Sequence, residues 1–169
     1  GCATRPGMSY TNILTRKLNK EVINLGFSGN GQLDYEIAEL MATRKKASLF
    51  ILDFIPNVNA TQLIEKTRPF YDIIRKANPD TPILFMETIM FPHSVYDQET
   101  YQIITEKNKL LKEEYLKIKS KGDTRIYYLT TDGLIGEDGE ATVDGIHLTD
   151  LGFIRVADRV LEAINTIDN

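Results

Sequence analysis

Apolar residues along this chain follow two alternating rhythms. One has a period of three to four. It covers residues 10–19 (Tyr10, Ile13, Leu14, Leu18), 35–44 (Ile37, Leu40, Met41) and 60–76 (Leu63, Ile64, Phe70, Tyr71, Ile74). It returns in residues 98–119 (Tyr101, Ile104, Leu111, Tyr115, Ile118) and 150–164 (Leu151, Ile154, Val160, Leu161, Ile164). That spacing puts one apolar face on a helix. The other rhythm is a short, nearly continuous apolar run at residues 21–25, 48–54, 82–87 and 125–130, as expected of strands covered on both faces. Pro69 inside the third helical stretch predicts a kink or a split. Asn78-Pro79-Asp80 ends that stretch, and Thr149 or Asp150 suits the N-cap of the last one.

A helix followed by four strand–helix units predicts an α/β fold with a parallel, doubly wound sheet. With no internal repeat, linker or low-complexity segment, residues 1–169 read as one domain. Such a domain ordinarily opens on a strand, whereas this chain opens on a small-residue loop and a helix. A first strand is therefore expected upstream of Gly1.

Composition narrows the function. The chain has 169 residues with 26% charged and 42% hydrophobic, ordinary for a globular protein. A net charge of −4 and the lack of a basic stripe argue against nucleic acid as a partner. The short basic runs at 44–46 and 117–121 suit solvated helix ends. No apolar run approaches the roughly 18 residues of a membrane span. One cysteine, Cys2, excludes an internal disulfide and leaves the compartment open, periplasmic or secreted if a signal peptide precedes Gly1.

In parallel sheets, ligands bind outside the carboxyl ends of the strands. Three loops follow predicted strands and are expected to converge there: residues 26–31, 55–59 and 131–149. The first, Gly26-Phe27-Ser28-Gly29-Asn30-Gly31, is rich enough in glycine to present bare N–H groups, the material of an oxyanion hole. It equally suits a tight turn, and its spacing is neither a dinucleotide fingerprint nor a P-loop. Gly26–Asn30 also comes within one residue of the Gly-x-Ser-x-Gly nucleophile elbow, which makes Ser28 a weak nucleophile candidate. Asn57 could aim a carboxamide donor at a developing oxyanion or simply serve a turn.

Asp144 and His147 are the most specific pair. A carboxylate three residues before an imidazole in a loop can accept from Nδ1–H, fix the tautomer and leave Nε2 as a base. Incidental surface residues are the alternative. Asp132, Glu137, Asp138 and Glu140 lack the spacing of a calcium loop, and no metal or other cofactor is expected. His93, in a proline-containing loop, reads as a surface or cleft-rim residue.

Assembled, these segments resemble the SGNH hydrolases, the GDSL-like esterase and lipase superfamily, from end to end. Asn-Leu-Gly-Phe-Ser-Gly-Asn-Gly (24–31) is similar to the second family block, with Gly29 at the oxyanion-donor glycine. Leu-Asp-Phe-Ile-Pro-Asn-Val (52–58) resembles the third, with Asn57 as the amide donor. Asp-Gly-Ile-His (144–147) matches the last block, which supplies acid and base. The Arg-Pro-Gly opening and residues 80–87 are similar to a bacterial, esterase-like branch. The resemblance implies a flavodoxin-like fold and a serine esterase acting on small-molecule or carbohydrate esters without a cofactor. The family's first block, which carries the nucleophilic serine, is not among these residues; Gly1–Gly7 resembles the segment just after it, so that serine is expected upstream of Gly1. A non-catalytic carbohydrate- or ligand-binding module on the same scaffold is the alternative. Substrate and oligomeric state are not legible.

Overall fold

The computed structural model describes residues 3–167, so Cys2 lies outside the described residues. Its elements run α1 (Tyr10–Leu18), α2 (Tyr35–Ala42), β1 (Phe50–Leu52), α3 (Ala60–Ala77), β2 (Ile83–Met86), α4 (Gln98–Ser120), β3 (Ile126–Leu129) and α5 (Asp150–Ile167). This is a mixed α/β fold with a parallel sheet and five helices among the described residues. The strands lie in the order β1-β2-β3, with Phe50 opposite Ile83 and Ile83 opposite Ile126. All four residues of the central strand β2 are buried, which explains its uninterrupted apolar sequence.

The chain forms two compact units, interleaved in sequence: Gly1–Asn24 with Ile89–Tyr101 and Thr131–Asn169, and Leu25–Thr88 with Gln102–Thr130. In the second unit, α2 packs on α3 and the sheet carries the core. Phe85 of β2 is fully buried, with the Tyr71 and Tyr115 rings 6.2 and 5.9 Å away. In the first unit, α1 packs against α5. Ile13 and Leu14 on the one and Val156, Ala157, Val160 and Ile164 on the other are buried.

Helix ends follow local chemistry. Ser9 caps α1 by accepting from the Asn12 amide. Asn59 and Gln62 form a reciprocal capping box at the start of α3. The Gly152 amide donates to Thr149 Oγ1 at 3.1 Å, so Thr149 caps α5.

The structure departs from the expectations in one strand, at Pro69 and along several helix faces. Residues 21–25 form no strand: among the described residues the sheet holds β1 to β3, and Ile23 is 51% exposed. A short segment with a few apolar residues becomes a strand only where a neighbouring edge pairs with its backbone. The split expected at Pro69 is absent: α3 runs as one helix through it, with Pro69 on its exposed side. Ile64 is exposed, because the inner face of α3 runs through Leu63, Thr67, Phe70, Tyr71 and Ile74. Leu151 and Ile154, expected on the buried stripe of α5, are exposed as well, because that helix turns Gly152, Phe153, Val156, Ala157, Val160 and Ile164 inward; Leu40 and Tyr101 are also exposed.

Candidate active site

In the first unit, the chain after β3 closes a narrow hairpin. Thr142 bridges Leu148, the Val143 amide donates to the His147 carbonyl at 2.7 Å, and the Thr149 amide donates to the Ala141 carbonyl at 2.9 Å. Its tip is Asp144-Gly145-Ile146-His147. Asp144 Oδ1 accepts from the amides of Ile146 at 2.9 Å and His147 at 2.8 Å, so the carboxylate shapes its own turn. Its other oxygen, Oδ2, lies 2.6 Å from His147 Nδ1. The His147 amide, then the imidazole and the Ile146 amide, hold the Asp144 carboxyl well below the usual carboxylate range. With Nδ1 engaged by the carboxylate, Nε2 has no hydrogen-bond partner among the described residues, on a ring that is about half exposed.

The acidic loop before this hairpin is occupied otherwise. Asp138 receives a two-pronged fork from Arg155 of α5, at 2.7 and 2.6 Å, and Arg155 also donates to the Ile135 carbonyl at 2.7 Å. No group of three or more metal-ligating side chains occurs among the described residues. His93 lies half-buried in a 3-10 turn, Pro92–Val95, beside Gly145. The sequence places His93 at a surface or cleft rim and no further, because a contact between distant loops has no local signal.

The second unit carries Gly29 and Asn57. β1 leads into a 3-10 turn, Ile55–Asn57, that Pro56 preorganises. Ile55 and Val58 are buried and pin the turn on both sides of Asn57. The glycine loop makes an unusual bend, with Phe27, Ser28 and Gly29 all at positive φ (45°, 40° and 83°). Side-chain amides brace its carbonyls: Asn30 donates to Phe27 at 3.0 Å and Gln32 to Gly29 at 3.2 Å. The Gly29 N–H donates to no acceptor among the described residues, and neither does the Asn57 carboxamide. A Cβ on Gly31 would stand 3.6 Å from Asn57 Nδ2, so this loop and the Asn57 turn adjoin. Ser28 lacks the setting of a nucleophile elbow, which requires a strand directly before it.

Fold and hairpin define a class: α/β proteins with a parallel sheet in which a carboxylate-steered imidazole follows the last strand. The profile of the GDSL-like Lipase/Acylhydrolase family matches residues 1–165, and the chain belongs to that family. A Bacteroides ovatus protein described as a GDSL-like lipase is similar at 36% identity and a TM-score of 0.92, covering 98% of this chain and 49% of that one. Two further structures share the fold. A salicylyl-acyltransferase from a tetracycline biosynthetic pathway is 16% identical with a TM-score of 0.77, over 98% of this chain and 51% of its own. A family two carbohydrate esterase from Clostridium thermocellum, in complex with cellohexaose, is 13% identical with a TM-score of 0.64, over 94% and 54%. The chain thus spans about half the length of these structures. No curated protein matches it.

Proposed function

We propose that this chain carries the acid, the base and two oxyanion donors of a serine esterase that cleaves carboxylic esters, including esters of small alcohols or carbohydrates. The nucleophilic serine comes from sequence preceding Gly1. His147 Nε2 takes the hydroxyl proton as the serine oxygen bonds to the ester carbon. Asp144 keeps Nδ1 protonated and stabilises the imidazolium. Gly29 N–H and the Asn57 amide donate to the oxyanion. As the carbonyl re-forms, the alcohol leaves with the proton from His147. Water then repeats the sequence on the acyl-enzyme, releasing the acid and the free serine.

The observation that carries this reading is the 2.6 Å contact between Asp144 Oδ2 and His147 Nδ1, on a half-exposed ring, in a chain of an acylhydrolase family. The test is hydrolysis of p-nitrophenyl acetate by the full-length protein. His147→Ala is expected to lower kcat/KM by roughly 10³-fold or more. Its thermal unfolding should stay where it was, because the ring is exposed. A variant that keeps the full rate overturns the assignment. These 169 residues alone are expected to show no turnover. Brisk hydrolysis by them would put the nucleophile inside this chain and remove the upstream serine.

A further inference from the structure

Gly145 stands between the acid and the base of the hairpin tip, at φ +86°. A Cβ built there would come within 2.6 Å of His93 Nδ1, and within 3.5 and 3.6 Å of its Cγ and Cε1. The His93 ring therefore lies against the backbone of the turn, and only a residue without a Cβ admits it. His93 is itself well held. The Phe91 ring stacks on it with centroids 5.7 Å apart. Its carbonyl accepts from the amides of Tyr96 at 2.9 Å and Asp97 at 3.1 Å. The Met90 amide donates to Thr131 Oγ1 at 3.1 Å, which ties this segment to the start of the loop that bears the hairpin.

The turn needs such a support. The side chains of Asp144 and His147 are about half exposed (51% and 49%), so little packing of their own restrains them. The His93 ring makes no side-chain hydrogen bond among the described residues, so what it offers the turn is shape. We infer that His93 is a positioning residue: its ring props the turn at Gly145 and holds His147 in the orientation that Asp144 Oδ2 receives. The kinetic consequence rests on the esterase reading; the structural one does not.

The test has two readouts. In this chain, the strongly downfield Nδ1–H proton resonance of His147 reports its bond to Asp144. His93→Ala is expected to broaden or lose that resonance, and His93→Phe, which keeps a flat ring without nitrogen, to restore it. In the full-length protein, His93→Ala is expected to lower kcat roughly 10- to 100-fold with KM unchanged, the pattern of a misplaced catalytic group. Gly145→Ala should also lose the resonance, and adding His93→Ala should recover part of it, because the clash is gone while the positive φ remains strained. An unchanged resonance and kcat in His93→Ala overturns the inference. So does failure of His93→Phe to restore them, or strict additivity of the two alanine substitutions. Absence of the resonance from the unmutated chain removes the Asp144–His147 pairing itself, and the esterase reading falls with it. Its presence, with His93→Ala indistinguishable from the unmutated chain, removes the role of His93 alone.

Discussion

Asp144 and Asp123, two of the carboxylates held below the usual range, are held there by different means. Asp144 is exposed and bound chiefly by amides of its own turn, and its second oxygen meets Nδ1 of a half-exposed imidazole. Asp123 is largely buried, with side-chain exposures of 14% for it and 15% for its partner Arg75. Burial pushes the Asp123 carboxyl up, but the Tyr71 hydroxyl, the Arg125 amide and the Arg75 guanidinium outweigh that and bring it down. Arg75, in the last turn of α3, spends its remaining donors on carbonyls. Nη1 reaches Asn78 and Pro79 at 3.0 Å each and Thr81 at 2.6 Å, and Nη2 reaches Arg125 at 3.2 Å. One cluster ties the end of α3 to the starts of β2 and β3 through all three guanidinium nitrogens of Arg75. The other leaves His147 Nε2 without a hydrogen bond among the described residues. A group with every bond satisfied by the protein stabilises the fold, whereas a reacting group must keep a position open.

The sharpest way to break this comparison is Arg75→Met. It leaves four carbonyls without that donor and a largely buried carboxylate without its cation, and it is expected to cost about 3 kcal/mol in urea unfolding at pH 7. Asp123 has a depressed folded pKa, so its contribution is present above the unfolded value of about 3.9 and is lost as pH falls through the folded one. The deficit of Arg75→Met should therefore narrow below about pH 4. A deficit independent of pH would assign the loss to the carbonyls alone.

The hairpin is exposed at its tip and rigid at its root, and Gly152→Ala separates the two. A Cβ at Gly152 of α5 would lie 2.2 Å from the Ala141 carbonyl oxygen and 3.1 Å from Leu148 Cδ2. Relieving that contact means lifting the hairpin stem off the first turn of α5, at about 2 kcal/mol of stability. A thermal midpoint equal to that of the unmutated chain would show that the stem does not rest there.

How much of this was legible in the sequence depended on distance along the chain. The five helices lie where periodicity put them, because a repeat of three to four residues is read within a few turns. The Asp144–His147 contact was legible because the turn that closes it spans four residues and is built from its own carboxylate. Residues 21–25 misled because strand formation is decided by a partner edge, not by apolar content. The pressure of His93 on Gly145 and the reach of Arg75 to Arg125 join residues about fifty positions apart, so no local pattern encodes them. The family resemblance singled out Gly29 and Asn57, but it gave no hint that the glycine loop carries three consecutive residues at positive φ or that Gly31 adjoins the Asn57 amide.

One group breaks the rule that interior donors and acceptors of the second unit are spent on the fold. Thr67 of α3 is fully buried among Leu63, Phe70, Tyr71 and Ile74, and its hydroxyl has no hydrogen-bond partner. A helical threonine ordinarily donates to a carbonyl one turn back, and an unmatched buried hydroxyl weakens the fold. Thr67→Val replaces that hydroxyl with a methyl of nearly the same volume and keeps the branched Cβ. It is expected to raise the free energy of unfolding by about 1 kcal/mol, the smallest effect considered and the only gain. A loss of similar size would mean that a buried water satisfies the hydroxyl. The interior of this unit would then hold no idle polar group, and the contrast with the hairpin tip would be stronger.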